Sequence, residues 1–246
     1  MRFIALVSGG KDSIYSVVRC MQLGHVCCCL ANLHPPPSAD SDECDSFTFQ
    51  TVGCGAVELV AQAMQLPLVR APLCGSCVRS TCEYEATVGD EVEDLLQLIE
   101  RCLKQFPDAT AVSCGAVLSD YQRLRVENVC RRLKLTCLAP LWRLPQQQLV
   151  ECMLADGVDA IIVKVSKESI CVVLCNVWCL CSLALLQVAA SGLPLDFLGR
   201  RLSDIQAQLK QLAQQHGLHV AGEGGEYVLP SPSFFAHPIV IRRAQI

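Results

Sequence analysis

The residues best suited to chemistry come early: Ser8-Gly9-Gly10-Lys11-Asp12-Ser13, between an apolar run and a helical pattern. Paired glycines let backbone approach an anion closely, and the amides of a turn that opens a helix point at it. Lys11 adds positive charge and Ser8 and Ser13 add hydroxyl donors. Asp12 is placed to hold a Mg2+ that bridges phosphates. The G-x-x-x-x-G-K-[ST] spacing of another common phosphate loop is absent. The plain alternative is a glycine-rich turn with a good helix start, but strand, glycines, lysine and serines together favour a phosphate site.

A second group is Ser119, Asp120, Arg123, Arg125 and Glu127. Arginines near a helix start suit bidentate grip of phosphate or carboxylate. Glu127 lies four residues from Arg123, so a helix-surface ion pair is the equal alternative. A third group, Gly222-Glu223-Gly224-Gly225-Glu226-Tyr227, sets two carboxylates and a phenol on a glycine-rich turn, or is simply a surface hairpin. Cys74-Gly75-Ser76-Cys77 with Cys82 offers three ligands where metal sites usually want four, so incidental cysteines are favoured. Cys27, Cys28 and Cys29 alternate faces of a strand and cannot chelate together.

The elements that must position these groups alternate. Phe3 to Val7, Val26 to Ala31, Leu66 to Val69 and Ala111 to Gly115 read as strands. Asp12 to Leu23, Ala56 to Met64, a segment from Asp90 and one from the N-cap Ser119 to Leu133 read as helices. This predicts an α/β, doubly wound parallel sheet, Rossmann-like. Past Pro140 the pattern weakens: Gln146 to Leu154 and Leu202 to His216 are helical, and Ala160 to Val165 is a strand. The expected division is residues 1–135 as the phosphate-binding domain and 136–246 as a smaller α+β substrate domain. Ser169 to Leu195 carries no charge, and Ile170 to Val188 is about long enough to span a bilayer. A buried apolar segment of a soluble protein is the favoured reading over a spanning helix.

With 52% apolar and 18% charged residues in a 246-residue chain, disorder is excluded. A net charge of −4 and 5% aromatics argue against direct nucleic-acid binding. The Met1 to Val7 run is too short for a signal peptide, so the 18 cysteines are expected to be reduced, in a cytoplasmic protein with no membrane attachment.

Ser8 to Ser13 resembles the PP-loop of the N-type ATP pyrophosphatases. Further stretches are similar to one branch of them, the diphthine–ammonia ligase family: Ala31-Asn32-Leu33, Asp45-Ser46-Phe47, Gln50 to Gly53, Gly89 to Leu95, Gly115 to Arg123 continuing to Asn128, and Gly222 to Tyr227. The resemblance covers roughly residues 1–165 and 189–227. It implies an adenine nucleotide α-hydrolase-like sheet, ATP and Mg2+ as cofactors, and amidation by ammonium of diphthine on translation elongation factor 2 through an acyl-adenylate. It implies catalytic Lys11, Asp12, Glu223 and Glu226, with Asp12 as the metal ligand. Nucleotide would meet Ser8 to Ser13, Ala31, Asn32 and Gly115. Substrate would meet Ser119, Asp120, Arg123, Arg125, Glu127, Gly224, Gly225 and Tyr227. A homodimer is compatible with the sequence. Two departures stand out: Val228 replaces an acidic residue of the family pattern, and residues 166–188 are inserted. The rival readings are another PP-loop enzyme, such as a tRNA-modifying thiolase or ligase, and a catalytically impaired nucleotide-binding variant.

Overall fold

β1 (Arg2–Leu6), β2 (Val26–His34), β3 (Leu68–Pro72), β4 (Ala111–Ser113) and β5 (Thr136–Leu138) pair in parallel, in the order β3-β2-β1-β4-β5. This computed structural model describes residues 1–36, 56–79, 83–162, 166–167, 170–171, 195–197, 199–216 and 227–228. The sheet is α/β and doubly wound, as the strand–helix alternation predicts. Its strand order reverses between β1 and β4, where doubly wound sheets open a crevice at the carboxyl ends of their strands.

Four helices connect the strands: α1 (Lys11–Gln22), α2 (Val57–Met64), α3 (Glu91–Gln105) and α4 (Asp120–Arg132). β1 is apolar on both faces because both are covered. Phe3, Ala5 and Val7 pack with Ile14, Val17 and Val18 of α1. Ile4 packs with Leu95, Ile99 and Cys102 of α3 and Val129 of α4. Beyond the sheet, α5 (Gln146–Ala155) and α6 (Leu202–His216) deliver Leu149, Val150, Met153, Leu202, Ile205 and Leu209 into the cluster beneath α1. That cluster therefore draws on residues from both sides of position 135. A polar tie crosses the same distance: the buried Tyr15 of α1 donates its hydroxyl to Asp156 Oδ2 at 2.7 Å, just past α5. Burial and this carboxylate push the Tyr15 phenol well above its ordinary pKa.

Short pairs complete the described chain. β6 (Ile161–Ile162) pairs antiparallel with β9 (Tyr227–Val228), and β7 (Ser166–Lys167) pairs with β8 (Ile170–Cys171). A single 3-10 turn covers Leu195–Phe197. Among the described residues no helix is long and apolar enough to cross a membrane. Most of the apolar tract, residues 172–194, lies outside the described residues.

The three consecutive cysteines correct the expected alternation. The β1–β2 register runs Phe3↔Cys27 and then Ile4↔Cys29, so Cys28 is the extra residue of a bulge. Cys27 packs beneath α1, while Cys28 and Cys29 both pack on the α3 side. Burial pushes the Cys27 thiol up to about 12, where it acts as a small hydrophobe.

Candidate active site

The loop from Ser8 to Gly10 joins the end of β1 to α1, on the rim of the switch crevice. Gly9 has φ +94°, a conformation that side chains disfavour. The serine hydroxyls brace the turn. Ser13 Oγ donates to the Gly10 carbonyl at 2.8 Å and accepts from the Ser8 amide at 3.2 Å. Ser8 Oγ accepts from the Gly10 amide at 3.3 Å. This leaves Lys11 and the amides at the positive end of α1 as the loop's groups chemically able to hold an anion.

Lys11 is buried, and its Nζ lies 2.7 Å from Asp12 Oδ2. The other oxygen, Asp12 Oδ1, is buried without a hydrogen-bond partner. A lone open carboxylate oxygen beside a buried ammonium fits a Mg2+–phosphate unit, in which phosphates and water supply the remaining oxygens.

Ala31 and Asn32 sit at the neighbouring strand end. The Val7 amide donates to the Ala31 carbonyl at 2.9 Å. The buried Asn32 donates Nδ2 to the Val7 carbonyl at 2.9 Å and accepts from Arg70 Nε at 3.1 Å. Across the crevice Gly115 lies so close to α1 that a Cβ there would stand 2.8 Å from Ser13 Cα. Ser16 Oγ reinforces this approach by donating to the Cys114 carbonyl at 3.1 Å. Ser8 to Ser13, Ala31, Asn32 and Gly115 are thereby brought together.

Ser119 caps α4 as expected, accepting from the Gln122 amide at 3.2 Å. Arg123 pairs with Glu127, the helix-surface alternative, and reaches Asp120 at 3.3 Å. Its guanidinium also lies over Trp142, 4.5 Å from the ring centroid. Sequence reasoning missed Trp142, an aromatic in a loop with no local signal of its partner.

Arg125 belongs to a different cluster. It is fully buried, stacks on Tyr121 at 3.2 Å, and donates to the carbonyls of Arg79 and Tyr121. This fixes the loop after β3 onto α4. The same loop is threaded on acids of α3. Asp90 accepts from the amides of Val78, Arg79 and Val92, and Asp94 from those of Cys74 and Gly75. Glu93 accepts from Tyr84 at 2.8 Å and from both terminal nitrogens of Arg132. The Arg132 guanidinium holds the Glu93 carboxyl below the usual carboxylate range.

Glu223, Gly224, Gly225 and Glu226 lie outside the described residues, as does Cys82. β9, which begins at Tyr227, runs alongside α1. Cys74 is exposed, and Cys77 Sγ lies 2.9 Å from the Tyr121 hydroxyl. Among the described residues no group of three or more His, Cys, Asp or Glu is arranged to hold a metal ion.

Residues 1–137 match the diphthamide synthase N-terminal domain family. The chain belongs to that family. Its relatives include a Danio rerio diphthine–ammonia ligase, 45% identical over 228 residues, which span 92% of this chain and 80% of the relative. A Rattus norvegicus diphthine–ammonia ligase is 44% identical, over 92% of this chain and 77% of its own length. The Schizosaccharomyces pombe diphthine–ammonia ligase is 41% identical over 95% of this chain, which corresponds to 35% of that protein. The family match ends within β5, so it contains the Ser8 to Ser13 loop, the Gly115 contact, the first turn of α4 and the Arg125 cluster, and stops short of Trp142.

Proposed function

We propose that this chain is an ATP-dependent carbon–nitrogen ligase that amidates diphthine on translation elongation factor 2 with ammonium. The observation that carries the reading is the pair of buried Lys11 and half-buried Asp12 at the start of α1, with one Asp12 oxygen open, on the rim of the β1/β4 crevice. The kinship with diphthine–ammonia ligases supports the substrate.

In this mechanism the α1 amides and Lys11 hold the phosphates of ATP, and Gly115 keeps that crevice wall narrow. Asp12 is the residue that would hold a Mg2+, which when bound would neutralise phosphate charge. A carboxylate oxygen of diphthine attacks the α-phosphate, the bond to the bridging oxygen breaks, and pyrophosphate leaves. Ammonia then attacks the acyl carbon, the carbon–oxygen bond to AMP breaks, and the nitrogen loses a proton to solvent. The protein contributes positioning and fixed charge, and forms no covalent bond to the substrate itself.

The test measures AMP and pyrophosphate from purified chain, Mg-ATP, ammonium and diphthine-bearing factor, omitting each component in turn. Product that needs every component, and that fails to form with Lys11→Ala, supports the ligase. ATP binding with no product under any condition overturns it.

A further inference from the structure

The loop after β5 stands beside the loop after β4, because the Arg143 amide donates to the Val117 carbonyl at 2.8 Å. Within it the half-buried Trp142 bears two guanidinium groups. Arg123 lies 4.5 Å from the ring centroid and is fixed there by Asp120 and Glu127. Arg143 lies 5.4 Å from it, on an exposed residue whose backbone sits at φ +57°. Among the described residues Arg143 makes no ion pair, and the indole is its cation contact. One cation on this ring is thus built in with matching carboxylates, whereas the other rests on the ring alone.

Diphthine, the substrate in the ligase reading, carries a trimethylammonium group beside the carboxylate to be amidated; such a group has no N–H to donate and is recognised by aromatic faces with diffuse negative charge nearby. An indole steadied from α4 by a guanidinium that two carboxylates already neutralise, with a second, weakly held guanidinium on it, has that chemistry. We propose that Trp142 is the recognition surface for the quaternary ammonium of the substrate, which takes the place of the Arg143 guanidinium on the ring. This rests on the ligase reading above. Arg123 is the positioning residue that holds the ring, and Asp120 and Glu127 hold Arg123 and neutralise its charge. The β5 loop stands two strand spacings, about 10 Å, from the phosphate loop, which leaves room between them for the carboxylate and the α-phosphate.

The experiment compares amidation kinetics on factor bearing the trimethylammonium with the same factor bearing the unmethylated amine. Trp142→Leu is expected to raise KM for the methylated substrate about tenfold and to erase its advantage over the unmethylated one, with KM for ATP unchanged. Trp142→Phe, which keeps a weaker ring, should fall between. Arg143→Ala, which removes the competitor, should lower that KM by about twofold. A methyl preference retained in Trp142→Leu, or a KM raised by Arg143→Ala, overturns the assignment. Should Trp142→Leu fail to fold by circular dichroism, the Phe and Arg143 variants carry the test. A parallel titration uses tetramethylammonium in a Trp178→Phe chain, where Trp142 is the sole indole. Quenching that strengthens with Arg143→Ala supports the site, and no quenching overturns it. Wild-type chain that yields no AMP with the diphthine-bearing factor overturns the ligase reading instead, and the titration then decides Trp142 independently.

Discussion

Two polar clusters occupy the carboxyl rim of the sheet, on opposite faces. Beneath α3 and α4, the carboxylates of Asp90, Glu93 and Asp94 all accept from amides, a phenol or a guanidinium. At α1, Asp12 has one oxygen on Lys11 and keeps the other buried and open. Both clusters consist of conspicuous charges beside glycine-rich loops, and both sit near a helix start. What separates them is how far their carboxylates are satisfied. A carboxylate whose acceptors are filled by its own chain fixes a loop, whereas a buried one with an oxygen to spare is prepared for something that arrives.

That contrast can be broken by substitution. The largest effect is expected from Lys11→Ala, which should lower kcat/KM for AMP formation by about 10²–10³ while circular dichroism shows a folded chain. Arg125→Met should instead act on stability, by about 3 kcal/mol in urea unfolding, because it leaves the Arg79 and Tyr121 carbonyls without their buried donor. A stable Arg125→Met chain that has lost turnover would move the second cluster into the active site. Asp90→Ala should cost about 2 kcal/mol, since three amides lose their acceptor and α3 its cap. The smallest effect is that of Glu93→Gln, about 1 kcal/mol at neutral pH. Its sign with pH is fixed by the depressed Glu93 pKa. The stabilisation is complete above the ordinary carboxylate range and is lost as pH falls through the lowered folded value. The gap between wild type and Glu93→Gln should therefore close in acid, and a gap independent of pH would refute the ion-pair origin.

The same contrast explains what could be read without coordinates. The start of α4 was legible because Ser119 and the Gln122 amide it caps are three residues apart. The stripe of α3 was legible because Val92, Leu95 and Ile99 recur at helical spacing. The turn from Ser8 to Ser13 was legible as a strand-to-helix loop because its glycines and serines act on one another locally. Arg125 could not be told from Arg123, two residues away, because its carbonyl partner is Arg79, 46 positions distant. β5 was missed because its three residues become a strand only by pairing with Ala111 to Ser113. The bulge at Cys28 is likewise a property of two strands together.

The hydrogen bond between Tyr15 and Asp156 spans 141 positions of sequence. Synthesis on the ribosome is vectorial, so α1 is made long before the acceptor that pairs with its buried phenol. Until residue 156 has emerged, the nascent chain has either to expose that phenol to water or to bury it unpaired. The loop from Ser8 to Gly10 and the helix that follows it are therefore translated well before the partner that lets α1 settle.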